Sequence, residues 1–160
     1  MKNMMAIALC LAAPLVMADS AVEGVYERVS LANVETGFSP ERGNRKGLLI
    51  MAHGHYAMMT MNQDRRVLAD GESVDAMSDS EKIAFLEDWL DVNAHSGRYE
   101  ADGQELVWYR DVSENPREVG TVSRLNYELR DDLLVISFSL GNGDRYDWVW
   151  RRVEVDAAPP

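Results

Sequence analysis

The feature that most constrains the fold is a series of short segments rich in β-branched and aromatic residues, each bounded by turn-forming residues. Two turns consist of a residue pair ending in glycine, His53-Gly54 and Asp102-Gly103, which favour tight hairpins. The predicted strands cover residues 23–31, 47–52, 55–61, 96–101, 104–112, 121–129, 133–140 and 145–155. Eight strands joined in this way form an antiparallel meander, which most easily hides its two edges by closing. We therefore expect an all-β fold, an eight-stranded antiparallel up-and-down barrel.

One segment departs from the strand pattern, at residues 78–92. Ser78 precedes Glu81 by three residues, which is typical of a capping box. Apolar residues then recur at spacings of three and four, and they include Ile83, Phe85 and Trp89. The pattern predicts one short helix between the third and fourth strands.

The first eighteen residues predict export. Lys2 is followed by an apolar run from Met4 to Val16 and by Ala18 before Asp19, which is typical of a secretory signal peptide cleaved near Ala18. The run is shorter than the roughly 20 residues that span a bilayer, so we expect no membrane insertion. Leu9 precedes Cys10 where a lipidation signal would have a small residue, so the sequence argues against a lipid anchor. We expect a periplasmic or secreted protein.

The charge balance narrows the possible partners. The chain carries 27 acidic and 16 basic residues, for a net formal charge of −11. This net negative charge repels the phosphates of nucleic acids, so we expect no nucleic-acid partner. Cys10 is the single cysteine, which excludes a disulfide scaffold in the mature chain. The remaining length predicts one domain, at residues 19–156, followed by a disordered tail at 157–160.

Several segments of the chain carry motifs that occur together in one known family. Gly24-Val25-Tyr26 resembles the Gly-x-Trp signature that opens lipocalins, and Trp150-Arg151-Arg152 resembles the ending that packs against it. The segments GLLIMAHGHYAMM, AHSGRYEADG and NPREVGTVSRLNYELRDDLL follow in the chain. They are similar, in the same order, to internal motifs of the bacterial lipocalin-like domain family, which has a calycin β-barrel. The resemblance implies a barrel that holds a small, mostly apolar ligand.

Two residues depart from the family pattern. Tyr26 replaces the usual tryptophan, and Trp108 stands where a histidine is expected. We nevertheless expect the barrel to be closed by five residues: Gly24, Tyr26, Trp150, Arg151 and Arg152. Among them, Tyr26 is expected to stack on one of the two arginines.

The expected ligand-binding residues are bulky side chains on lumen-facing strand positions: Tyr56, Met58, Trp108, Leu125 and Tyr127. Successive strand residues face opposite sides of the sheet. If Leu125, Tyr127 and Leu129 face the lumen, Arg124 must therefore face outward. The opposite orientation would let Arg124 meet a ligand carboxylate, and both remain open. Methionines crowd the second hairpin and either contact ligand or fill the core.

His53 and His55 lie among these methionines and raise the possibility of a zinc or copper site. Both flank a hairpin turn, where side chains are poorly preorganised, and His95 belongs to a different hairpin. We expect a structural hairpin and no metal or other cofactor.

The sequence favours no catalytic residue. His95 and Ser96 are neighbours that point to opposite faces of a strand, so they cannot share a proton directly. Asp88 and Asp91 fit a solvated helix face. We expect an exported protein that binds a small hydrophobic or amphipathic molecule in the barrel. The alternatives are a barrel enzyme, such as an isomerase or hydrolase, and a filled barrel that acts as an interaction module.

Overall fold

The computed structural model of the protein describes residues 20–41 and 44–154. Its elements are β1 (Gly24–Asn33), β2 (Arg45–Ala52), β3 (His55–Asn62), α1 (Asp79–Leu90), β4 (Val92–Asp102), β5 (Glu105–Ser113), β6 (Val122–Arg130), β7 (Leu133–Ser139) and β8 (Arg145–Arg152), with short 3₁₀ helices at Ser20–Val22 and Val74–Ala76. The predicted signal peptide, both predicted domain boundaries and the tail at 157–160 lie outside the described residues. No helix in the described ranges is long and apolar enough to cross a lipid bilayer.

The eight strands form a closed antiparallel barrel in chain order. Each strand pairs with its neighbours in sequence, and β1 pairs with β8 to complete the ring. Tyr26 lies opposite Arg152 in this closing pair. The predicted all-β fold, an eight-stranded up-and-down barrel with one helix between the third and fourth strands, is confirmed.

Tight turns set the register of the hairpins. His53 and Gly54 have φ values of 51° and 74°, and Met51 then pairs with Tyr56 across the turn. Two consecutive positive φ angles suit the twist of a two-residue hairpin, and glycine adopts them without strain. The β6–β7 hairpin turns on Asp131, which also has positive φ, at 53°.

Alternate residues of every strand fill the barrel. The core contains the buried side chains of Tyr26, Leu49, Met51, Tyr56, Met58, Tyr99, Leu106, Trp108, Tyr127, Leu134, Ile136, Tyr146, Trp148 and Trp150, among others. Because an eight-stranded barrel is only wide enough for side chains or one small ligand, aromatic residues of this size fill much of the lumen.

The two ends of the barrel differ. At one end the hairpin turns are short, and Val22 of the first 3₁₀ helix is fully buried beneath Tyr26, whose hydroxyl donates to the Val22 carbonyl at 2.9 Å. At the other end lie the longer connections, including residues 63–91 and 114–121. We call this second end the open end.

Buried ion pairs tie these longer connections together at the open end. Arg28 and Arg45 both pair with Glu41, and Arg45 Nη1 lies 2.5 Å from Asp91 Oδ1 at the C-terminus of α1. The two arginine side chains are only 7% and 5% exposed, so their charges need these partners. The cluster therefore holds the β1–β2 connection against the junction of α1 and β4.

Helix α1 forms as predicted but does not bury its apolar residues. Ser78 and Glu81 make the complete capping box, which explains where the helix begins. Ile83, Leu86 and Trp89 are 58%, 52% and 45% exposed, and no residue of the helix is buried. The capping box thus accounts for the helix, which buries none of its residues against the barrel.

Candidate functional site

A cavity of about 420 Å³ occupies the lumen toward the open end of the barrel. Its apolar wall consists of Trp108, Leu125, Ile136, Phe138, Leu140 and Trp148. Its polar groups come from Asn93, His95, Arg110, Glu118, Ser123, Arg124 and Ser139. An apolar wall with a few converging polar groups, in this range of volume, is typical of a small-molecule site.

The aromatic side chains in and behind the cavity wall contact one another in stacked, tilted and edge-on arrangements. The rings of Tyr56 and Trp108 are nearly parallel, with centroids 4.7 Å apart, and Trp148 lies against Trp150 at 5.0 Å. Phe138 meets Trp148 edge-on at 6.5 Å. These contacts fix the ring positions, so the wall of the cavity is preformed.

His95 is a buried titratable residue at the cavity and is 5% exposed. Its Nδ1 lies 3.0 Å from the Tyr56 hydroxyl, and its ring contacts Trp108 at 5.2 Å. Burial, with a smaller contribution from the charge of Arg110, lowers the pKa of His95 to about 3. Burial likewise raises the pKa of Tyr56 to about 12. Both side chains are therefore uncharged at neutral pH.

Arg110 supplies a positive charge at the same cavity. Its Nη1 donates to Ser123 Oγ at 2.7 Å and to Thr121 Oγ1 at 3.3 Å, which positions the guanidinium. Its Nε lies 3.4 Å from Glu118 Oε2. That Nε is buried, yet it makes no hydrogen bond within the described residues. The ion pair with Glu118 is therefore poorly aligned.

A β-bulge in β5 sets the direction of Arg110. Gly97 pairs with Arg110 and Ser96 pairs with Val112, so Asp111 is the extra residue. Since paired residues point to the same side of a sheet, Arg110 faces inward with Gly97, and Val112 faces outward with Ser96. A Cβ on Gly97 would lie 1.9 Å from the Tyr109 carbonyl oxygen. The bulge therefore requires glycine at this position.

Of the three buried indole N–H groups that lack an acceptor within the described residues, two belong to tryptophans at the cavity and the third to Trp150 in the core. Trp108 and Trp148 are 1% and 7% exposed, and their Nε1 atoms have no hydrogen-bond partner in the described part of the chain. A buried N–H without an acceptor costs roughly 1–3 kcal/mol. Both tryptophans line the cavity, but their Nε1 atoms are not accessible from it.

Two of the five residues predicted to bind ligand line the cavity, Trp108 and Leu125. Tyr56, Met58 and Tyr127 are buried but do not belong to its lining. Tyr56 lies behind the wall, where it contacts His95 and Trp108.

Among the residues predicted to close the barrel, Arg152 is the arginine that meets Tyr26. Arg152 Nη2 donates to the Tyr26 hydroxyl at 2.7 Å, and the guanidinium lies 5.3 Å from the ring centroid. Trp150 is fully buried in the core, and Gly24 lies against the Tyr26 ring. Arg151 instead points to solvent and pairs with Asp132.

Arg124 lies at the rim of the cavity with its side chain 66% exposed, paired with Glu105 at 3.0 Å. Of the two orientations left open by the sequence, the outward one is observed. Leu125 and Tyr127 face inward, whereas Leu129 is 37% exposed.

The hairpin with the two histidines is exposed at its tip. His55 Nδ1 lies 3.1 Å from the carbonyl oxygen of His53, and both side chains face solvent. In the described residues no group of three or more His, Cys, Asp or Glu side chains could hold a metal ion. The absence of a metal stays a prediction. The methionines of this hairpin differ in burial, since Met51 and Met58 are buried and Met59 is exposed.

A second depression lies on the outer face of the barrel. It is lined mainly by apolar side chains, including Leu48, Ile50, Met59 and Val112. It has few polar atoms to orient a ligand, unlike the lumen cavity. The lumen is therefore the better candidate site.

Sequence reasoning missed His95 and Arg110 as lumen residues. We expected β4 to begin at Ser96, but it begins at Val92. The residues from Val92 to His95 belong to the strand because they pair with β3. The alternation of His95, Gly97 and Tyr99, and of Leu106, Trp108 and Arg110, was the available signal.

Comparison with known proteins adds little to this description. No protein-family model matches the sequence, and no curated protein is significantly similar to it. Among solved structures, the chain is similar to a redesigned β-barrel, with 10% sequence identity and a TM-score of 0.44. The alignment covers 89% of this chain and 100% of the designed one. The fold assignment therefore rests on the strand pairing itself.

Proposed function

We propose that this protein binds a small amphipathic molecule in the open half of its barrel. The observation that carries the proposal is the lumen cavity, where an aromatic wall meets the buried guanidinium of Arg110. The apolar part of the ligand would contact Phe138 and Trp148, and its polar group would face Arg110. The resemblance to lipocalin-like proteins, and the signal peptide predicted at 1–18, lead us to expect that binding takes place outside the cytoplasm.

The pair of Tyr56 and His95 is the feature that an enzyme would use, because it is buried, titratable and next to the lumen. A general acid or base works best with a pKa near the working pH. The pKa values of about 3 for His95 and about 12 for Tyr56 lie far from neutrality on opposite sides. These values favour binding over proton-transfer catalysis.

Calorimetric titration with naphthamide, an uncharged aromatic probe with an acceptor oxygen, tests the proposal. Leu125→Trp places a bulky side chain in the lumen cavity, and Leu48→Trp places the same side chain in the outer depression. We expect Leu125→Trp to weaken binding by about tenfold or more, because the larger side chain fills space in which the probe would otherwise bury its surface. Leu48→Trp should leave the affinity unchanged. The reverse pattern would locate binding on the outer face and overturn the proposal.

A further inference from the structure

We infer that the lumen selects a monoanionic ligand, and that Glu118 is an internal counter-ion which the ligand carboxylate replaces on Arg110. The inference rests on the proposed function and specifies its ligand class. The molecule has a net formal charge of −11, yet the charged side chains lining the cavity are Arg110, Arg124 and Glu118. Arg124 lies at the rim and is paired with Glu105, so Arg110 and its partner Glu118 are the charged groups that a ligand inside the cavity would meet.

Arg110 is built to hold an anion. Its side chain is only 16% exposed, and Ser123 and Thr121 fix one edge of the guanidinium through Nη1. A guanidinium held in this way offers its other donors in a fixed plane, which matches the geometry of a carboxylate.

Glu118 satisfies this charge incompletely. Its carboxylate is 3.4 Å from Arg110 Nε, and the Nε makes no hydrogen bond within the described ranges. The Glu118 side chain is 39% exposed, so leaving Arg110 would return the carboxylate to water without burying an unpaired charge. A ligand carboxylate aligned with the guanidinium would make the better contact.

The connection that carries Glu118 allows this exchange without unfolding. Its backbone carbonyl accepts from the Thr121 amide at 3.0 Å and from the Thr121 hydroxyl at 2.7 Å. The Gly120 amide donates to the Arg110 carbonyl at 2.8 Å, which fastens the connection to β5. A ligand therefore needs to displace only a side chain.

The test compares naphthoate with naphthamide, which differ in charge but share the same ring system. Glu118→Gln removes the internal competitor, so naphthoate affinity should rise about threefold to tenfold while naphthamide affinity stays the same. Glu128→Gln changes the net charge equally but lies on the exposed face of β6, and it should alter neither affinity. Arg110→Gln should weaken naphthoate about tenfold or more, and Arg110→Lys should recover part of the loss.

A double mutant isolates the coupling between the two side chains. Glu118→Gln should have no effect on naphthoate affinity in the Arg110→Gln background, because the displaced ion pair no longer exists. Equal affinities of both probes, unchanged by Glu118→Gln, would overturn the inference and leave lumen binding intact. Failure of both probes to bind would overturn the proposed function and the inference with it.

Discussion

At the scale of single residues, the lumen depends on a histidine that stays neutral and on a glycine that makes room for a bulge. His95 is enclosed by Tyr56 and Trp108, and Gly97 lies two residues further along β4, opposite the bulge that aims Arg110. Each has a measurable consequence for stability.

Burial of His95 predicts a loss of stability in mild acid. The unfolded chain takes up a proton at this residue near pH 6.5, whereas the folded chain does not until about pH 3. The contribution of neutral His95 is therefore fully present above pH 6.5 and decreases as the pH falls toward 3. Between pH 6.5 and 5.5 the free energy of unfolding should fall by about 1 kcal/mol from this group alone.

Urea unfolding of the wild type and of His95→Gln at both pH values measures this term. His53 and His55 remain in both proteins, so their contributions cancel. Identical pH dependence of the two proteins would contradict the buried, neutral state of His95.

Gly97→Ala should be among the most damaging small substitutions in the chain. The added Cβ would lie 1.9 Å from one backbone atom and 2.8 Å from another, so the strands must separate. We expect a loss of about 3 kcal/mol or more in the free energy of unfolding. Gly141→Ala is the matched control, because its Cβ would meet no atom within 4 Å. Similar effects of both substitutions would show that the bulge does not need glycine.

At the scale of elements, the closing strands are stabilised by contacts between distant parts of the chain, and the helix by contacts within its first turn. The junction of β1 and β8 is sealed by side-chain contacts between distant parts of the chain, Arg152 with Tyr26 and with the Ala21 carbonyl. Helix α1 relies on local contacts at its own N-terminus.

Arg152→Met should destabilise the barrel, and Arg151→Met should not. The first removes two charge-assisted hydrogen bonds, to Tyr26 at 2.7 Å and to Ala21 at 2.6 Å, for a cost of about 1–3 kcal/mol. The second removes an exposed ion pair worth at most about 1 kcal/mol. Thermal unfolding of both variants checks the difference, and an equal shift would argue against Arg152 as the closing residue.

Ser78→Ala should loosen α1 without unfolding the barrel. Loss of the capping box costs roughly 1 kcal/mol of local stability, so amide exchange in the helix should accelerate about fivefold. The midpoint of global unfolding should stay the same, since no residue of the helix is buried. Glu87→Ala, an exposed substitution further along the same helix, serves as the control. A shift of the global midpoint by Ser78→Ala would show that α1 is part of the barrel's cooperative unit.

The elements were predictable where the signal is local. Alternation, turn residues such as His53-Gly54 and the Ser78 capping box predicted eight strands and one helix with small errors at their ends. Two features escaped prediction. The start of β4 depends on pairing with β3, and the bulge at Asp111 depends on where Gly97 meets β5. Both are contacts between strands, which a single sequence read along its length does not reveal.

At the scale of the whole molecule, the barrel is neither empty nor filled. Aromatic residues pack the lumen near Val22 and Tyr26, and the cavity occupies the open end. The sequence predicted Trp108 and Leu125 among the ligand-binding residues, but it did not predict that Tyr56, Met58 and Tyr127 lie outside the cavity lining, because the boundary between the packed and open halves depends on side-chain packing across all eight strands. The account therefore depends on whether the open half takes up a ligand.

The indole N–H signals of a ¹⁵N-labelled sample test this claim most directly. The chain has four tryptophans, of which Trp108 and Trp148 line the cavity, Trp150 lies in the core and Trp89 lies on α1. Titration with naphthamide should shift the signals of Trp108 and Trp148 in a saturable way, because the probe would pack against these two cavity-lining residues, and should leave the Trp89 signal in place. A shift of Trp89 alone, or of none of the four, would contradict ligand binding in the lumen.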